Sequence, residues 1–328
     1  MPLKGALYGC GMISEFHLRG WNRIPEVEIV ALGNRTLARA EARRAEFAPS
    51  ARTYADLGAL LASEQLDFID ILTTPELHFD HCRAAMAKGV HIVCQKPLCD
   101  SLERARELVA LTRTYGKLFA VHENHRYRPW FQRVRPMFRE KRIRFLRIEH
   151  LNATEPGEAY KNTAPTGVWL EYGSHLVDMM RALLGEPLRV HARMHRVNAN
   201  VAGESLAHAT FEYPDCTAVV EAGWKHSPIT QSSVLIMAGD TEAWYEGTLT
   251  RGQTGRLRVS ASTTLVCDEA LSPYEEYVES FYLFEREFTD AMLGRGAISQ
   301  TGDEHLKTLA CTFAAYDSAR TGEITEIP

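Results

Sequence analysis

The chain has 328 residues, enough for two domains of ordinary size, each with its own hydrophobic core. Hydrophobic residues make up 45% and charged residues 24%, a composition that excludes a largely disordered chain. The formal net charge of −5 argues against nucleic acid as a partner and favours a small polar ligand.

The first 122 residues alternate short apolar runs with amphipathic segments, a pattern typical of βαβ units around a parallel sheet. We therefore predict an α/β domain over residues 1–122. Its predicted strands are residues 6–8, 27–32, 68–72, 90–94 and 118–121. Its predicted helices are residues 13–23, 37–47, 54–62, 77–87 and 101–115.

A polar, aromatic and basic stretch over residues 122–129 marks the predicted domain boundary. The rest of the chain, residues 123–328, has several strand-like runs with period-two patterning, which predict an α+β domain with a large, mainly antiparallel sheet. The predicted strands are residues 144–151, 190–194, 207–213, 218–223, 233–238, 243–245 and 257–260. The predicted helices are residues 130–139, 168–184, 277–293 and 303–320, and residues 152–166 are predicted as a loop.

A glycine turn follows the first predicted strand and precedes the first predicted helix. Gly9 permits a tight turn, and Gly11 lets the backbone approach a pyrophosphate that rests on the helix N-terminus. Ser14 occupies the third glycine position and is small enough for close packing. The context predicts a Rossmann dinucleotide site that includes Gly9, Cys10, Gly11, Met12 and Ile13, although a G-x-G alone fits any strand-to-helix turn.

The residue that reads the cofactor ribose is expected about 20 positions further on, at the end of the second strand. Asn34 lies there in place of a carboxylate that would repel a 2′-phosphate. Asn34 can bond the ribose diol of NAD, and Arg35 can clamp the 2′-phosphate of NADP. The choice between NAD and NADP stays open from these residues.

Lys96 follows the apolar run 90–94 within Gln95-Lys96-Pro97. In open α/β sheets, ligands bind outside the carboxyl ends of the strands, so the Lys96 ammonium is well placed for chemistry. The alternative is a solvated loop lysine, which would be the better interpretation of the tripeptide by itself.

Three ionisable residues share one face of the predicted helix 168–184. Glu171 and His175 are four residues apart, and Asp178 follows three residues later. A carboxylate beside an imidazole orients it and stabilises its protonated form, as a general base requires. A polar surface of an amphipathic helix is the alternative.

These motifs together resemble the Gfo/Idh/MocA oxidoreductase family, the relatives of glucose-fructose oxidoreductase and inositol dehydrogenase, over essentially the whole chain. The family motifs are a Glu-Lys-Pro tripeptide, a Thr-Pro with a later His, an Asn-x-Arg-aromatic stretch and an Asp-x-x-x-His-x-x-Asp helix. Gln95 and Glu171 depart from them, because the family has Glu and Asp there. The matching residues are Gln95, Lys96 and Pro97; Thr73, Thr74, Pro75 and His78; Asn124, Arg126 and Tyr127; and Glu171, His175 and Asp178.

The resemblance implies an NAD(P)-dependent dehydrogenase of a sugar or cyclitol hydroxyl, with His175 as base and Lys96 as its electrostatic or proton partner. Glu171 completes the implied catalytic group. The resemblance also implies a larger set of residues around the cofactor, in addition to the glycine turn, Asn34 and Arg35. These residues are Thr73, Thr74, Pro75, His78, Gln95, Lys96, Asn124 and Arg126. The implied substrate pocket contains Lys96, Asn124, Glu155, Tyr160, Trp169, Glu171 and His175.

Within the family, the chain is more loosely similar to the D-apiose-type aldose dehydrogenases. A homodimer or homotetramer through the C-terminal sheet is also implied, and the apolar residues Val219, Leu235 and Met237 fit such a contact. Two other activities known among such proteins stay open: a non-catalytic dinucleotide-binding regulator and a redox-neutral, NAD-dependent glycosidase.

The remaining expectations concern location and metal. No apolar run approaches the roughly 20 residues of a membrane span, so we expect no membrane partner. The seven cysteines are scattered and contain no C-x-x-C pair, which argues against zinc and disulfide frameworks and suits a reducing cytoplasm. We therefore predict no metal site and a cytoplasmic protein.

Overall fold

The computed structural model describes residues 1–153, 159–225, 230–248 and 251–328, without the side chains of residues 159 and 160. The described chain forms two compact units. The first comprises Met1–Asn124 and Val278–Lys307, and the second comprises His125–Tyr277 and Thr308–Pro328. The first unit therefore includes Val278–Lys307, a segment that the predicted boundary at residue 122 assigns to the second domain.

The first unit is built on a six-stranded parallel sheet, which confirms the predicted Rossmann fold. Its strand order is β3-β2-β1-β4-β5-β6, the order of a doubly wound dinucleotide-binding sheet. The central strand β4 is completely buried, as expected for a sheet with helices on both faces. The strands are β1 Leu3–Tyr8, β2 Val27–Gly33, β3 Arg52–Tyr54, β4 Phe68–Ile71, β5 His91–Gln95 and β6 Phe119–His122.

Local sequence signals explain where the helices of this sheet begin and end. The side chains of Asp56 and Ser101 cap two helices by accepting backbone N–H bonds from Ala59 and Arg104. Pro75 opens a third helix, which ends at Gly89 in the left-handed conformation. The helices are α1 Ser14–Trp21, α2 Leu37–Phe47, α3 Leu57–Ser63, α4 Pro75–Lys88 and α5 Leu102–Thr112.

The second unit contains a nine-stranded sheet of order β14-β13-β12-β11-β7-β10-β9-β8-β15. Among the described strands of this sheet, only the pair β7 and β10 is parallel, so the prediction of a mainly antiparallel sheet is confirmed. The strands are β7 Phe145–Asn152, β8 Arg189–His195, β9 Leu206–Glu212, β10 Thr217–Trp224, β11 Gln231–Ala238, β12 Thr241–Gly247, β13 Gly255–Ala261, β14 Thr264–Leu271 and β15 Thr325–Glu326.

Helices of the second unit include α6 Pro129–Phe138, α7 Ala159–Thr163 and α8 Ser174–Leu184. A short 3-10 helix, His125–Tyr127, precedes α6. Two long helices, α9 Pro273–Met292 and α10 Gly302–Thr321, contribute residues to both units. In the described part of the chain, no helix combines the length and the apolar character needed to cross a membrane.

Several elements differ from the sequence predictions, and the short strand β15 and the 3-10 helix His125–Tyr127 were not predicted. Strand β3 was not predicted because its three residues carry no apolar alternation, and β14 was missed because nearly all of it is exposed. Helix α7 lies within the predicted loop 152–166. The predicted helix 168–184 begins with a π-helical turn, Trp169–Gly173, before it continues as α8.

The core of the second unit lies on one face of its sheet. Val220, Val234 and Ile236 point into this core, where they pack with α6 and α8 residues such as Trp130 and Val177. The alternate residues Val219 and Leu235 are only partly buried and lie on the other face. The period-two pattern therefore reflects one packed face and one outer face.

The packing of β13 and β14 gives a direct test of this core. Leu257→Ala should lower the free energy of unfolding by about 2–5 kcal/mol, because Leu257 is 2% exposed and its removal leaves a cavity. Leu265→Ala is the matched control and should change it by no more than about 0.5 kcal/mol, because Leu265 is 53% exposed. Urea denaturation measures both variants, and equal losses would contradict this arrangement.

Candidate active site

The glycine turn lies at the carboxyl end of β1. Gly9 adopts φ 115°, and a Cβ there would lie 2.5 Å from the backbone of Leu72, so only glycine permits this approach of two strand ends. Helix α1 starts at Ser14, whose hydroxyl donates to the carbonyl of Gly11 at 2.6 Å. Ser14 thus stabilises the turn in addition to packing closely. Met12, within the turn, is 58% exposed.

Asn34 connects this turn to the end of β2. Its Oδ1 accepts the backbone N–H of Cys10 at 2.9 Å, and its Nδ2 donates to the carbonyl of Thr36 at 2.9 Å. Burial raises the pKa of the Cys10 thiol to about 12, which makes the thiol a packing group. Arg35 is exposed. The structure therefore brings the two predicted cofactor loops together through the amide of Asn34.

His78 joins the end of β4 to the loop that carries Lys96. Its Nε2 lies 2.8 Å from the carbonyl of Thr73, and its Nδ1 lies 3.1 Å from the carbonyl of Pro97. The imidazole is completely buried, and this burial lowers its pKa although the backbone carbonyls oppose the shift. Thr74 is the N-cap of α4 and Pro75 is its first residue. His78 is therefore a support for the loop.

Lys96 directly follows β5, and its backbone N–H donates to Oε1 of Gln95 at 2.7 Å. The Lys96–Pro97 peptide bond is cis. Asn124, also in the first unit, donates from Nδ2 to the hydroxyl of Ser280 at 2.8 Å. Lys96 is partly exposed, whereas Gln95 and Asn124 are buried.

His175 lies at the start of α8 in the second unit and is 6% exposed. Its ring stacks on His125 with centroids 3.9 Å apart and planes 5° from parallel, and Tyr172 meets it edge-on. The preceding π-helical turn places a Ser174 N–H against the carbonyl of Trp169, and π-helical turns occur frequently at functional sites. These aromatic contacts hold the imidazole.

The two carboxylates of the predicted helix face have separate partners. Glu171 forms an ion pair with Lys161 at 2.7 Å, a cation that the sequence motifs did not identify. Asp178 is completely buried and forms an ion pair with Arg126, whose Nε lies 2.6 Å from Oδ2. Arg126, predicted beside the cofactor, thus has its charge balanced within the second unit.

Three predicted substrate residues are not seen to line a pocket in the described part of the chain. Trp169 is no wall of an open pocket, because it is completely buried in the core and its indole N–H donates to the carbonyl of Thr312 at 3.0 Å. Its apolar bulk accounts for this position. Glu155 lies outside the described residues, and Tyr160 belongs to α7 without a described side chain.

Comparisons with known proteins identify the family. Residues 3–123 match the profile described as "Oxidoreductase family, NAD-binding Rossmann fold", and residues 131–240 match the GFO/IDH/MocA C-terminal domain. A D-apiose dehydrogenase from Paraburkholderia graminis is 32% identical over 99% of this chain and 89% of its own length. The chain belongs to the Gfo/Idh/MocA oxidoreductase family. The predicted family resemblance is therefore confirmed.

Two further members are similar over their whole length. A D-apiose dehydrogenase from Rhizobium rhizogenes is 29% identical over 99% of this chain and 97% of its own length. The crystal structure of an oxidoreductase from Agrobacterium radiobacter, in complex with NAD+, L-tartaric acid and magnesium, has a TM-score of 0.89. It is 27% identical to this chain and covers 100% of it, with 99% of its own chain matched.

His150 is a neighbour of His175 that no sequence motif indicated. It lies on β7, stacks on Tyr172 with centroids 3.7 Å apart, and shares a hydrogen bond between its Nδ1 and the hydroxyl of Ser232. Burial lowers the pKa of His150 to about 3, with smaller contributions from Arg128 and His175. In the sequence, the one signal that could have identified His150 is the occurrence of a histidine within a predicted apolar strand.

This buried imidazole makes stability depend on pH. As pH falls from 6.5, the ordinary value, towards about 3, the unfolded chain binds a proton that native His150 does not. The free energy of unfolding therefore falls, by up to about 1.4 kcal/mol per pH unit. His150→Asn lacks this term, so we expect it to destabilise the protein most above pH 6.5 and progressively less below it.

Urea denaturation at about pH 7.5 and about pH 5 measures this difference. Ser232→Ala is the matched control, because it removes the hydrogen bond but keeps the buried imidazole. Its effect should be nearly the same at both pH values. A His150→Asn effect that does not change between the two pH values would contradict a neutral, buried His150.

Proposed function

We propose that the protein is a nicotinamide-dependent dehydrogenase that oxidises the C1 hydroxyl of an aldose to a lactone. The observation that carries this proposal is the position of Lys96. It follows β5 at the same edge of the parallel sheet where Gly9 and Asn34 form the dinucleotide turn. An ammonium beside a cofactor turn is suited to stabilise a substrate oxygen.

Several groups of the first unit fit a dinucleotide. The turn from Gly9 to Ile13 supplies backbone N–H groups and the N-terminus of α1 for a pyrophosphate. Asn34 lies at the ribose position, and Thr74 and Pro75 begin α4 at the next strand end. When bound, the oxidised nicotinamide supplies the acceptor for the hydride and its electron pair.

The protein side chains then handle the proton and the charge. His175 accepts the hydroxyl proton as the C1 hydride leaves, because an imidazole near neutral pH is a competent base. The Lys96 ammonium stabilises the negative charge that develops on the oxygen. Glu171, paired with Lys161, is assigned to a substrate hydroxyl, as is the amide of Asn124.

D-apiose is the first substrate to assay. The two relatives that carry this sugar in their names are similar to essentially the whole chain, both units included. Five-carbon aldoses, six-carbon aldoses and cyclitols belong in the same panel, because the family resemblance implies either a sugar or a cyclitol hydroxyl.

We propose NAD as the cofactor. The similar Agrobacterium radiobacter oxidoreductase forms a complex with NAD+, and the amide of Asn34 can hydrogen-bond a ribose hydroxyl without a 2′-phosphate. Assays with NAD and NADP separately test this choice, because clamping by Arg35 would favour NADP. We also propose a cytoplasmic location, which suits the seven free thiols, five of them buried.

Substitution of Lys96 and His175 tests the proposed activity. Lys96→Met and His175→Ala should each lower kcat by about 10²- to 10⁴-fold, because each removes a group that acts in the transition state. Both variants should still bind cofactor, as measured by quenching of protein fluorescence. Lys117→Met and His195→Ala remove the same residue types at exposed positions and should keep wild-type turnover.

Turnover that survives in both Lys96→Met and His175→Ala would overturn the proposal. Absorbance of reduced nicotinamide also separates the two alternative activities. A regulator would bind cofactor without any turnover, and a redox-neutral glycosidase would cleave substrate without net reduction of free NAD.

We further propose a homodimer or homotetramer through the outer face of the nine-stranded sheet. Leu235 pairs across this face with Trp244 on β12 and Arg147 on β7, and all three side chains are only partly buried. Met237, on the same face, is 41% exposed. An apolar patch of this kind on a sheet is suited to a partner of the same chain.

Leu235→Glu should shift the protein to monomers, because it places a charge in the proposed contact. Sedimentation velocity at micromolar concentration measures the change. Leu111→Glu, at a 42% exposed position on α5, is the control and should leave the oligomer intact. A wild-type protein that sediments as a monomer would refute the proposed assembly.

A further inference from the structure

The first unit buries a group of polar side chains beneath the strand end that carries Lys96. We call it the buried polar cluster, and it consists of His17 on α1, Asp70 on β4, Gln95 on β5, His122 on β6 and Glu285 on α9. Gln95 is 8% exposed and the other four are completely buried. Buried polar groups are costly unless their donors and acceptors are matched.

The hydrogen-bond directions in this cluster follow from one fixed donor. A backbone N–H can only donate, so Oε1 of Gln95, 2.7 Å from the Lys96 nitrogen, is the acceptor. The other end of the amide, Nε2, must then donate to Nε2 of His17 at 3.1 Å. A ring nitrogen that accepts carries no proton, so the proton of a neutral His17 is on Nδ1.

The Nδ1 proton also has a matched partner. Nδ1 of His17 lies 2.8 Å from Oδ2 of Asp70, the same oxygen that accepts the indole N–H of Trp21 at 2.8 Å. The chain of bonds therefore runs without conflict from the Asp70 carboxylate through His17 and Gln95 to the backbone of Lys96. Each donor in it faces an acceptor.

We infer that Gln95 is a positioning residue that fixes the backbone of Lys96 and holds His17 as the neutral Nδ1–H tautomer. This inference rests on the proposed role of Lys96 for its effect on catalysis, but the tautomer of His17 is independent of that role. It also gives a physical reason for glutamine where the family motif has glutamate: an amide accepts from Lys96 and donates to His17 without binding a proton, whereas a carboxylate can only accept.

The carboxyl groups near His17 explain why its neutral state depends on an uncharged residue at position 95. Burial, and to a smaller extent the charge of Asp70, raises the pKa of Glu285 well above its ordinary value. Its Oε1 lies 3.7 Å from Nδ1 of His17 and 3.9 Å from Nε2 of His122. A carboxylate at position 95 would be a third carboxyl group beside Asp70 and Glu285. It would require an extra proton, and His17 is the base that faces it.

The cluster also contains the residue types of a metal site, since His17, His122 and Glu285 each place a ligand atom within 4.8 Å of the others. The hydrogen-bond directions at His17, however, argue against a metal ion bound between these three residues. With Nε2 of His17 accepting from Gln95 and Nδ1 donating to Asp70, neither ring nitrogen has a lone pair left for a metal.

Imidazole NMR of the full chain tests the inference. Long-range proton–nitrogen correlations of histidine-labelled protein distinguish the two neutral tautomers from the doubly protonated ring. The His17 signals are assigned by their loss in His17→Gln. Wild-type protein should show an unprotonated Nε2 and a protonated Nδ1, whereas Gln95→Glu should show both nitrogens protonated at the same neutral pH.

Trp21→Phe is the control within the same pocket. It removes one donor to Asp70 but leaves Gln95 and His17 in place, so the Nδ1–H tautomer should persist. An Nε2–H tautomer or a metal-bound ring in the wild type would overturn the inference. An unchanged His17 pattern in Gln95→Glu would overturn it as well.

Kinetics test the link to Lys96. Gln95→Leu removes the acceptor for the Lys96 N–H and should lower kcat by on the order of 10- to 100-fold with little change in the KM for cofactor. Gln95→Glu keeps that acceptor and should recover part of the loss. Equal kcat for wild type and Gln95→Leu would refute the positioning role. A Lys96→Met variant with full turnover would refute the proposed function instead. The NMR test of the His17 tautomer does not depend on that outcome.

Discussion

Parallel pairing of β1 with its neighbours is the constraint on which the candidate site depends. Tyr8 pairs with Gly33 on β2 and with Ile71 on β4, and Ile71 pairs with Cys94 on β5. Because the strands run in one direction, the residues that follow them reach the same sheet edge. The glycine turn, Asn34, the Thr73–Pro75 segment and Lys96, which span about 90 residues of sequence, therefore all lie at this one edge of the sheet.

The side chains beneath this edge stabilise what lies above it. His78 ties the loop of Lys96 to the end of β4, and Asn34 ties the glycine turn to the end of β2. Gln95 continues the support from below through His17 and Asp70. His78, Asn34 and Gln95 each form hydrogen bonds with the backbone of a loop, and catalysis benefits when reactive groups are held in a fixed geometry.

The sequence was sufficient for the Rossmann fold and the family, because apolar periodicity, turn residues and short motifs are local signals. It was insufficient where long-range packing decides. The ion pair between Arg126 and Asp178 joins residues 52 positions apart, and the burial of Trp169 depends on a core assembled from distant strands. The π-helical turn before α8 contains this buried Trp169, and a Cβ at Gly173 would lie 2.6 Å from its ring.

Transfer of deuterium tests the central claim most directly. D-apiose labelled with deuterium at C1 is incubated with the protein and NAD, and the reduced cofactor is analysed by mass spectrometry. Direct hydride transfer predicts one deuterium in each reduced nicotinamide and one lactone for each cofactor reduced. Reduced nicotinamide without deuterium, formed from the labelled sugar, would contradict oxidation at C1.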